Sequence, residues 1–523
     1  MNRPSRRRFL SQLLAAGAAG RARVFASPQA PAIVSRERMA VPYGVASGDV
    51  TLGRAMVWSR ADRPARLTVE WDTTDAFSNP RQVPTAAALP ETGLTARVAL
   101  EDLPPGQRIH YRARFQDLAD LRRWSEAVVG SFVSPPTDRR AITLAWSACC
   151  VGQGWGINEA WGGLRMFETL RRSQPDAFLH LGDTIYPDQP LEPEVKLDDG
   201  TVWRNVVTPA KSKVAETLDE FRGNYLYTLS DANAQRFNRE VSLTVTWDDH
   251  EVFNNWYEGV SLEWDKRYAE KSTALLVARA KRALLEHFPF RLEGPDPERL
   301  YRVCQWGPLL DIFVLDLRSY RGPNTANRQP AEGDGTRILG ARQRGWLKQA
   351  LRQSTATWKV IMCSLPIGFV VGDSPDTTAF EGLANGDPGA PLGRELEIAD
   401  LLRFVRDQGI RNVVFVTSDM HYCTAQHYDP QRARFQAFHP FWEFAAGPMH
   451  AGTFGPNRLD PTFGPEVRFV GIPQGMKPNR PPSDGLQFFG VLRIDGPRDV
   501  LTVSLHNVAG DSLWKVDLEP ERG

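Results

Sequence analysis

From residue 141 onward, short apolar runs end abruptly in clusters of acids, thiols and histidines, and this pattern limits the fold more than any other. Ile142-Thr143-Leu144-Ala145-Trp146 leads into Ser147-Ala148-Cys149-Cys150. Ala177-Phe178-Leu179-His180-Leu181 leads into Gly182-Asp183-Thr184-Ile185-Tyr186. Residues 242–247 lead into Asp248-Asp249-His250-Glu251-Val252-Phe253-Asn254-Asn255, and residues 412–417 into Ser418-Asp419-Met420-His421. Runs this short and this apolar read as buried strands. Two more lie at 309–315 and 359–363. Helical stretches separate several of them: 159–173, with Ala160, Leu164, Phe167 and Leu170 on one face, then 269–287, 342–353 and 395–408. Such alternation predicts a layered α/β domain over residues 141–515. Polar groups directly after its strands stand where such sheets bind ligands.

Upstream the period changes. Residues 67–71, 96–100 and 109–114 alternate apolar and polar, and turns such as Leu103-Pro104-Pro105-Gly106 separate them. Residues 41–135 therefore read as a small all-β sandwich of immunoglobulin or fibronectin type. Ser134-Pro135-Pro136-Thr137 is the expected linker.

Charge divides the chain unevenly. The 523 residues carry a net charge of only +1, yet residues 1–26 hold six arginines and no acid. The remainder has 57 basic and 62 acidic residues, a net charge of −5. Ser5-Arg6-Arg7-Arg8-Phe9-Leu10 resembles a twin-arginine signal, followed by a weak apolar stretch and a small-residue cleavage site at Val24-Phe25-Ala26. The stretch is too short to span a bilayer about 30 Å thick. The expectation is export through the twin-arginine translocase to the periplasm or the exterior, without a stable membrane span. No basic, aromatic-interleaved patch points to nucleic acid. Five cysteines, an odd and sparse set, do not make a disulfide framework.

Taken singly, each polar cluster has an ordinary alternative. Cys149 and Cys150 fit a packed core, Asp183 a capped turn, the 248–251 run a solvated loop, and His421 a buried histidine with Asp419 as partner. Together they form one constellation. Three carboxylates and a histidine in four consecutive residues repel unless a cation compensates them. Oxygen donors suit a hard ion such as Ca²⁺, whereas thiolate and imidazole suit a transition metal. The mixture points to more than one metal, and paired metals serve phosphoryl transfer.

These clusters, in this order, resemble the PhoD-type alkaline phosphatases, a branch of the calcineurin-like metallophosphoesterases. Tyr43-Gly44-Val45-Ala46-Ser47-Gly48-Asp49 with Val57-Trp58-Ser59-Arg60 is similar to that family's N-terminal β domain. Asp248-Asp249-His250-Glu251 with Asn254-Asn255 is the most specific match. Leu315-Asp316-Leu317-Arg318-Ser319-Tyr320-Arg321 and Leu339-Gly340-Ala341-Arg342-Gln343 add to it. The resemblance implies a layered metallophosphoesterase β-sandwich flanked by helices. It implies Fe³⁺ held by Cys149, Asp183, Tyr186 and His421, and Ca²⁺ on the side of Asp249, Asn255 and Asp419, with Asp183 bridging. It further implies phosphoester hydrolysis by in-line attack of a metal-bound hydroxide or oxide. His250 would donate a proton or bind phosphate, Arg318 would grip a phosphate oxygen, and Glu251 would support the ligands from behind. The sequence departs from the family pattern at Cys150, at Ser418 and at Cys363-Ser364, where a lone metal-binding histidine is expected. Two other readings stay open: a phosphodiesterase acting on lipid or cell-wall polymer, and an envelope binding protein without catalysis.

Overall fold

The computed structural model describes residues 38–292, 294–374 and 378–522. The expected export segment, residues 1–26, lies outside them. The first large sheet has nine strands in the order Ser512–Leu518, Leu501–Asn507, Phe488–Ile494, Ile142–Ser147, Ala177–His180, Ser242–Val245, Val45–Thr51, Arg54–Arg60 and Thr95–Leu100. The second has seven: Arg302–Gln305, Leu310–Val314, Trp358–Met362, Val413–Thr417, Phe441–Ala445, Thr424–Tyr428 and Pro465–Val470.

Register explains why the polar clusters meet. Ile142–Ser147, Ala177–His180 and Ser242–Val245 are parallel neighbours, with Ser147 opposite His180 and His180 opposite Val245. Their carboxyl ends are level, so the turns beyond them emerge side by side. In the second sheet Leu310–Val314, Trp358–Met362, Val413–Thr417 and Phe441–Ala445 are also parallel. The two rows of turns are joined across the sheets: the Thr246 hydroxyl donates to the Leu315 carbonyl at 2.7 Å, and the Trp247 indole donates to Asp316 at 2.8 Å.

The layering follows from the two-residue period of a strand. Leu144, Trp146 and Leu179 share one apolar cluster with Ile312, Val360 and Val414, so the sheets pack face to face. Their neighbours Ala145 and Phe178 turn outward into a cluster beneath helices Leu218–Leu229, Ala232–Glu240 and Thr273–His287. Phe313, Ile361 and Phe415 face helices Gly340–Gln353 and Glu395–Asp407. The result is the helix-flanked double sheet expected from the alternation.

The expected helix at 159–173 is shorter. A single turn, Glu159–Trp161, stops at Gly162 and Gly163, whose φ angles are +102° and +70°, and the helix proper is Arg165–Arg172. The helix expected from 269 begins at Thr273, where the Ser272 side chain accepts from the Leu275 N–H. The two helices at 218–240 escaped the periodicity reading, although Thr217 and Glu220 form a capping box ahead of the first.

Upstream, Ala65–Asp72, Arg108–Asp117 and Val128–Val133 build a separate antiparallel sheet with the short strands Arg81–Gln82 and Ala86–Ala88. The other strands of that region belong to the nine-stranded sheet. Val45–Thr51 runs parallel to Ser242–Val245, with Gly48 opposite Leu243. A side chain at Gly48 would stand 2.4 Å from the Leu243 carbonyl oxygen, so the close approach requires glycine. Beside it, Asp49 pairs with Arg302, Nε to Oδ1 2.9 Å. Among the described residues, no helix is long and apolar enough to cross a membrane.

Candidate metal centre

The strand-end turns are built from backbone that side chains rarely adopt. Cys149, Asp183, Asn255, Asp419 and His421 have φ of 63°, 52°, 57°, 68° and 59°. A non-glycine residue there costs on the order of 1 kcal/mol or more, and such residues gather where geometry serves function. Gly182, at φ 110°, lets the Asp183 turn pass against the next one; a Cβ there would lie 2.5 Å from the Asp248 nitrogen. Backbone bonds lock the turns together, from Cys149 N–H to the Gly182 carbonyl at 3.2 Å and from Cys150 N–H to the Asp183 carbonyl at 2.8 Å.

Glu251 fastens two of these turns. Its fully buried carboxylate accepts from Asp183 N–H (3.1 Å), Asp248 N–H (2.7 Å), Thr184 N–H (2.6 Å) and the Thr184 hydroxyl (2.7 Å). It is spent on backbone and hydroxyl donors rather than turned toward the donor cluster.

Three donor groups, each with its ligand atoms within 4.8 Å of one another, lie along the turns: Cys149, Asp183 and His421; Asp183, Asp249 and His250; Asp248, Asp249 and Asp419. Asp183 joins the first to the second, and Asp249 the second to the third. Tyr186 belongs to the first by position. Its hydroxyl is 2.9 Å from Asp183 Oδ2 and 3.1 Å from His421 Nε2, while Cys149 Sγ is 3.5 Å from the same Asp183 oxygen. His421 Nδ1 donates to the Gly452 carbonyl at 2.5 Å, which leaves Nε2 with its lone pair toward the cluster. Burial lowers that ring to a pKa of about 4, keeping it neutral. Asn255 stands at the edge, its N–H donating to Asp249 Oδ2 at 2.7 Å.

The charge balance tests whether cations fit. Burial, then Asp183 and Asp419, push the Cys149 thiol well up. Burial and the neighbouring Asp249 do the same to Asp183. Burial with Asp248 and Glu381 raises Asp419, and burial with Asp249 lifts Asp248 to about 7 although Arg318 opposes it. Asp248 Oδ2 is buried without a hydrogen-bond partner among the described residues. So many anionic donors crowded in a dry site call for added positive charge. The first group mixes sulfur, nitrogen and oxygen, whereas the third is all oxygen, so the residues fit two different cations.

His250 is set apart by its partner. Its Nδ1 lies 3.0 Å from both oxygens of Asp188, and its ring packs 4.2 Å from that of Tyr186. Burial works against its charge, but Asp188, Asp249 and Asp183 more than offset it and hold the ring well above its ordinary pKa. Asp249 is correspondingly held low: burial is outweighed by His250 and Arg318.

Arg318 stands against Asp248 and Asp249 of the third group. It has no exposure; Nε donates to Asp248 at 2.6 Å and Nη1 to Glu381, which also binds Arg321. Two of its nitrogens serve carboxylates, while Nη2 lies 3.8 Å from Asp249 and has no hydrogen-bond partner among the described residues. Ser364, at the position of the expected lone histidine, donates to Asp248 at 2.9 Å. Cys363 Sγ donates to the Leu365 carbonyl and Cys150 packs beneath the helices; neither belongs to a donor group. All five cysteines are buried and free.

The sequence reading assigned no role to Asp248, Asp188 or Glu381. Asp248 carried a signal, since it heads the acidic run. Asp188 is two residues beyond Tyr186, and only the bend at Pro187 brings it to His250. Glu381 is placed by tertiary packing alone.

The chain is similar to several known proteins. The computed structure superimposes on a solved structure titled "Structure of PhoD" with a TM-score of 0.67 and 21% identity, over 92% of this chain and 89% of that one. It also superimposes on the purple acid phosphatase PPD1 of yellow lupin, with a TM-score of 0.54 and 12% identity, over 92% and 74%. Alkaline phosphatase D of Bacillus subtilis (strain 168) is 27% identical over 400 residues, 72% of this chain and 64% of that protein. The match thus spans just under two thirds of that relative's length. The family model for the PhoD-like phosphatase N-terminal domain matches residues 27–136, and the PhoD-like phosphatase model matches residues 144–505, which include every donor described above. Because these models cover residues 27–136 and 144–505, the chain belongs to the PhoD-like phosphatase family.

Proposed function

We propose that the protein is an exported, metal-dependent phosphoester hydrolase of the alkaline phosphatase D type. The observation that carries this reading is the pair of chemically distinct donor groups linked through Asp183 and Asp249. In this reading Cys149, Asp183, Tyr186 and His421 hold Fe³⁺, and Asp248, Asp249, Asn255 and Asp419 serve Ca²⁺. Bound there, the cations would supply charge neutralisation for the phosphoryl oxygens and ease the deprotonation of water. Asp183 sets the spacing between the two groups. His250, kept charged by Asp188, donates the proton that the departing alcohol needs. Asp188 holds the ring in place, Glu251 fixes the turns that present Asp183 and Asp248, and Arg318 balances Asp248 and Asp249. The boundaries that go with this function are a signal at 1–26, a β domain at 41–135 and a catalytic domain at 141–515. The arginines at Arg6, Arg7 and Arg8 support the twin-arginine route to the periplasm or exterior.

Elemental analysis of protein purified without chelator, followed by rates on matched phosphomonoesters and diesters, tests the reading. Iron, calcium and phosphate release are expected. Protein that holds neither metal and hydrolyses nothing overturns it, and diester rates far above monoester rates would replace a phosphatase with a phosphodiesterase.

A further inference from the structure

A cavity of about 570 Å³ adjoins the centre. Asp188, Asn254 and Asn255 form its inner wall, so it begins at the partner of His250 and at the neighbour of Asp249. Asn254 is exposed and Asn255 partly so, whereas Asp249 and His250 are buried. The cavity therefore lies on a side from which the centre meets solvent.

Its charged groups are already committed. Asp188 is held by His250. Arg267 donates to both oxygens of Asp265 and to the Asp188 carbonyl. Asp373 Oδ1 accepts from the Asn324 amide at 2.7 Å. The rest of the lining is mainly aromatic and aliphatic: Tyr257, Val260, Trp264 and Tyr268. Trp264 is 71% exposed, the largest value among the exposed large hydrophobic residues. Tyr268 is buried, and its hydroxyl has no hydrogen-bond partner among the described residues. The chamber thus pairs an aromatic and aliphatic wall with polar groups held in fixed positions, a common form of small-molecule site.

We propose that this cavity is a subsite for the alcohol portion of the substrate, and that it takes an uncharged aromatic or apolar alcohol, with Trp264 covering its face. This inference rests on the phosphoester hydrolase reading and adds the substrate class. A second anionic group on the ligand finds no free cation among the described residues of this wall, so polyanionic esters are disfavoured.

The test compares kcat/KM for 1-naphthyl phosphate and glycerol 2-phosphate in the metal-loaded full chain, for the natural sequence, Trp264→Ala and Ser261→Trp. Trp264→Ala removes aromatic contact at an exposed position; Ser261→Trp fills the cavity from its rim. Each is expected to lower the naphthyl-to-glycerol ratio of kcat/KM about tenfold, the scale of losing one large apolar contact, chiefly through KM. An unchanged ratio in both variants, with the natural chain active on both esters, overturns the subsite alone. A natural chain that hydrolyses neither ester overturns the hydrolase reading instead.

Discussion

Replacing Asp188 with Asn isolates the proton-donor role of His250, because it changes one charge and almost no volume. Both Asp188 oxygens lie 3.0 Å from His250 Nδ1, and the His250 and Asp188 side chains are only 6% and 4% exposed. Opposite charges about 4 Å apart interact by about 4 kcal/mol at an effective dielectric of about 20. Removing the carboxylate charge withdraws most of that support from the protonated ring. Asn keeps an oxygen for the Asn254 N–H, which now donates to Asp188 Oδ2 at 3.1 Å. A positioned general acid contributes roughly 10²–10⁴ in rate when the leaving group is a poor one. Asp188→Asn should therefore cut kcat for an alkyl phosphate about a hundredfold and for p-nitrophenyl phosphate, whose phenolate needs little protonation, less than about fivefold. Steady-state kinetics on both substrates, with metal content and thermal midpoint as controls, provide the reading. Equal losses on the two esters at unchanged metal content would refute the proton-donor argument.

Cys149→Ser removes the sulfur donor of the first group and should abolish iron retention and phosphate release, whereas Cys304→Ser, in a core strand outside every donor group, should retain both; elemental analysis decides. Glu251→Gln sets an amide –NH₂ against N–H donors that now meet a carboxylate. Losing two charge-assisted bonds at about 1.5–3 kcal/mol each should lower stability by about 3–6 kcal/mol in denaturant titration, and metal affinity with it. Buried histidines make the fold acid-sensitive. Burial lowers His287 and His450 to about 4 and His180 to about 3. Their folded values lie below the unfolded 6.5, so their contribution is intact above about pH 6.5 and is lost as pH falls toward 4. At pH 5 the loss is about 2 kcal/mol per ring. Thermal melts should fall from pH 7.5 to 5, and His287→Gln should flatten that slope.

Much of the centre was legible because parallel strands carry their own address. An apolar run that stops at Ser147, His180, Val245 or Thr417 announces a buried strand, and level register makes the residues after each stop neighbours. Cys149, Asp183, Tyr186, Asp249, His250, Asp419 and His421 obey that rule, and they meet. Residues placed by distant packing rather than by a local rule are harder to read. Arg318 also comes just after a strand, but its partners Asp248 and Glu381 come from distant segments, and no periodicity shows that it faces inward. The helices at 218–240 were missed because their buried faces include Arg222, Asn224 and Asn238, which blur the apolar stripe.

The placement of Val45–Thr51 bears on the order in which the molecule can be made. This strand leaves the ribosome early, yet its parallel partner, Ser242–Val245, carries the Asp248-Asp249-His250 turn and is synthesised far later. A pairing so distant in sequence must close a long loop before any contact rewards it, and such closures are slow. Gly48 must wait for Leu243, and the wall of the donor cluster stays incomplete meanwhile. A nascent chain threaded outward as it is made would separate the two halves of one sheet, whereas a chain held back until synthesis ends can join them first.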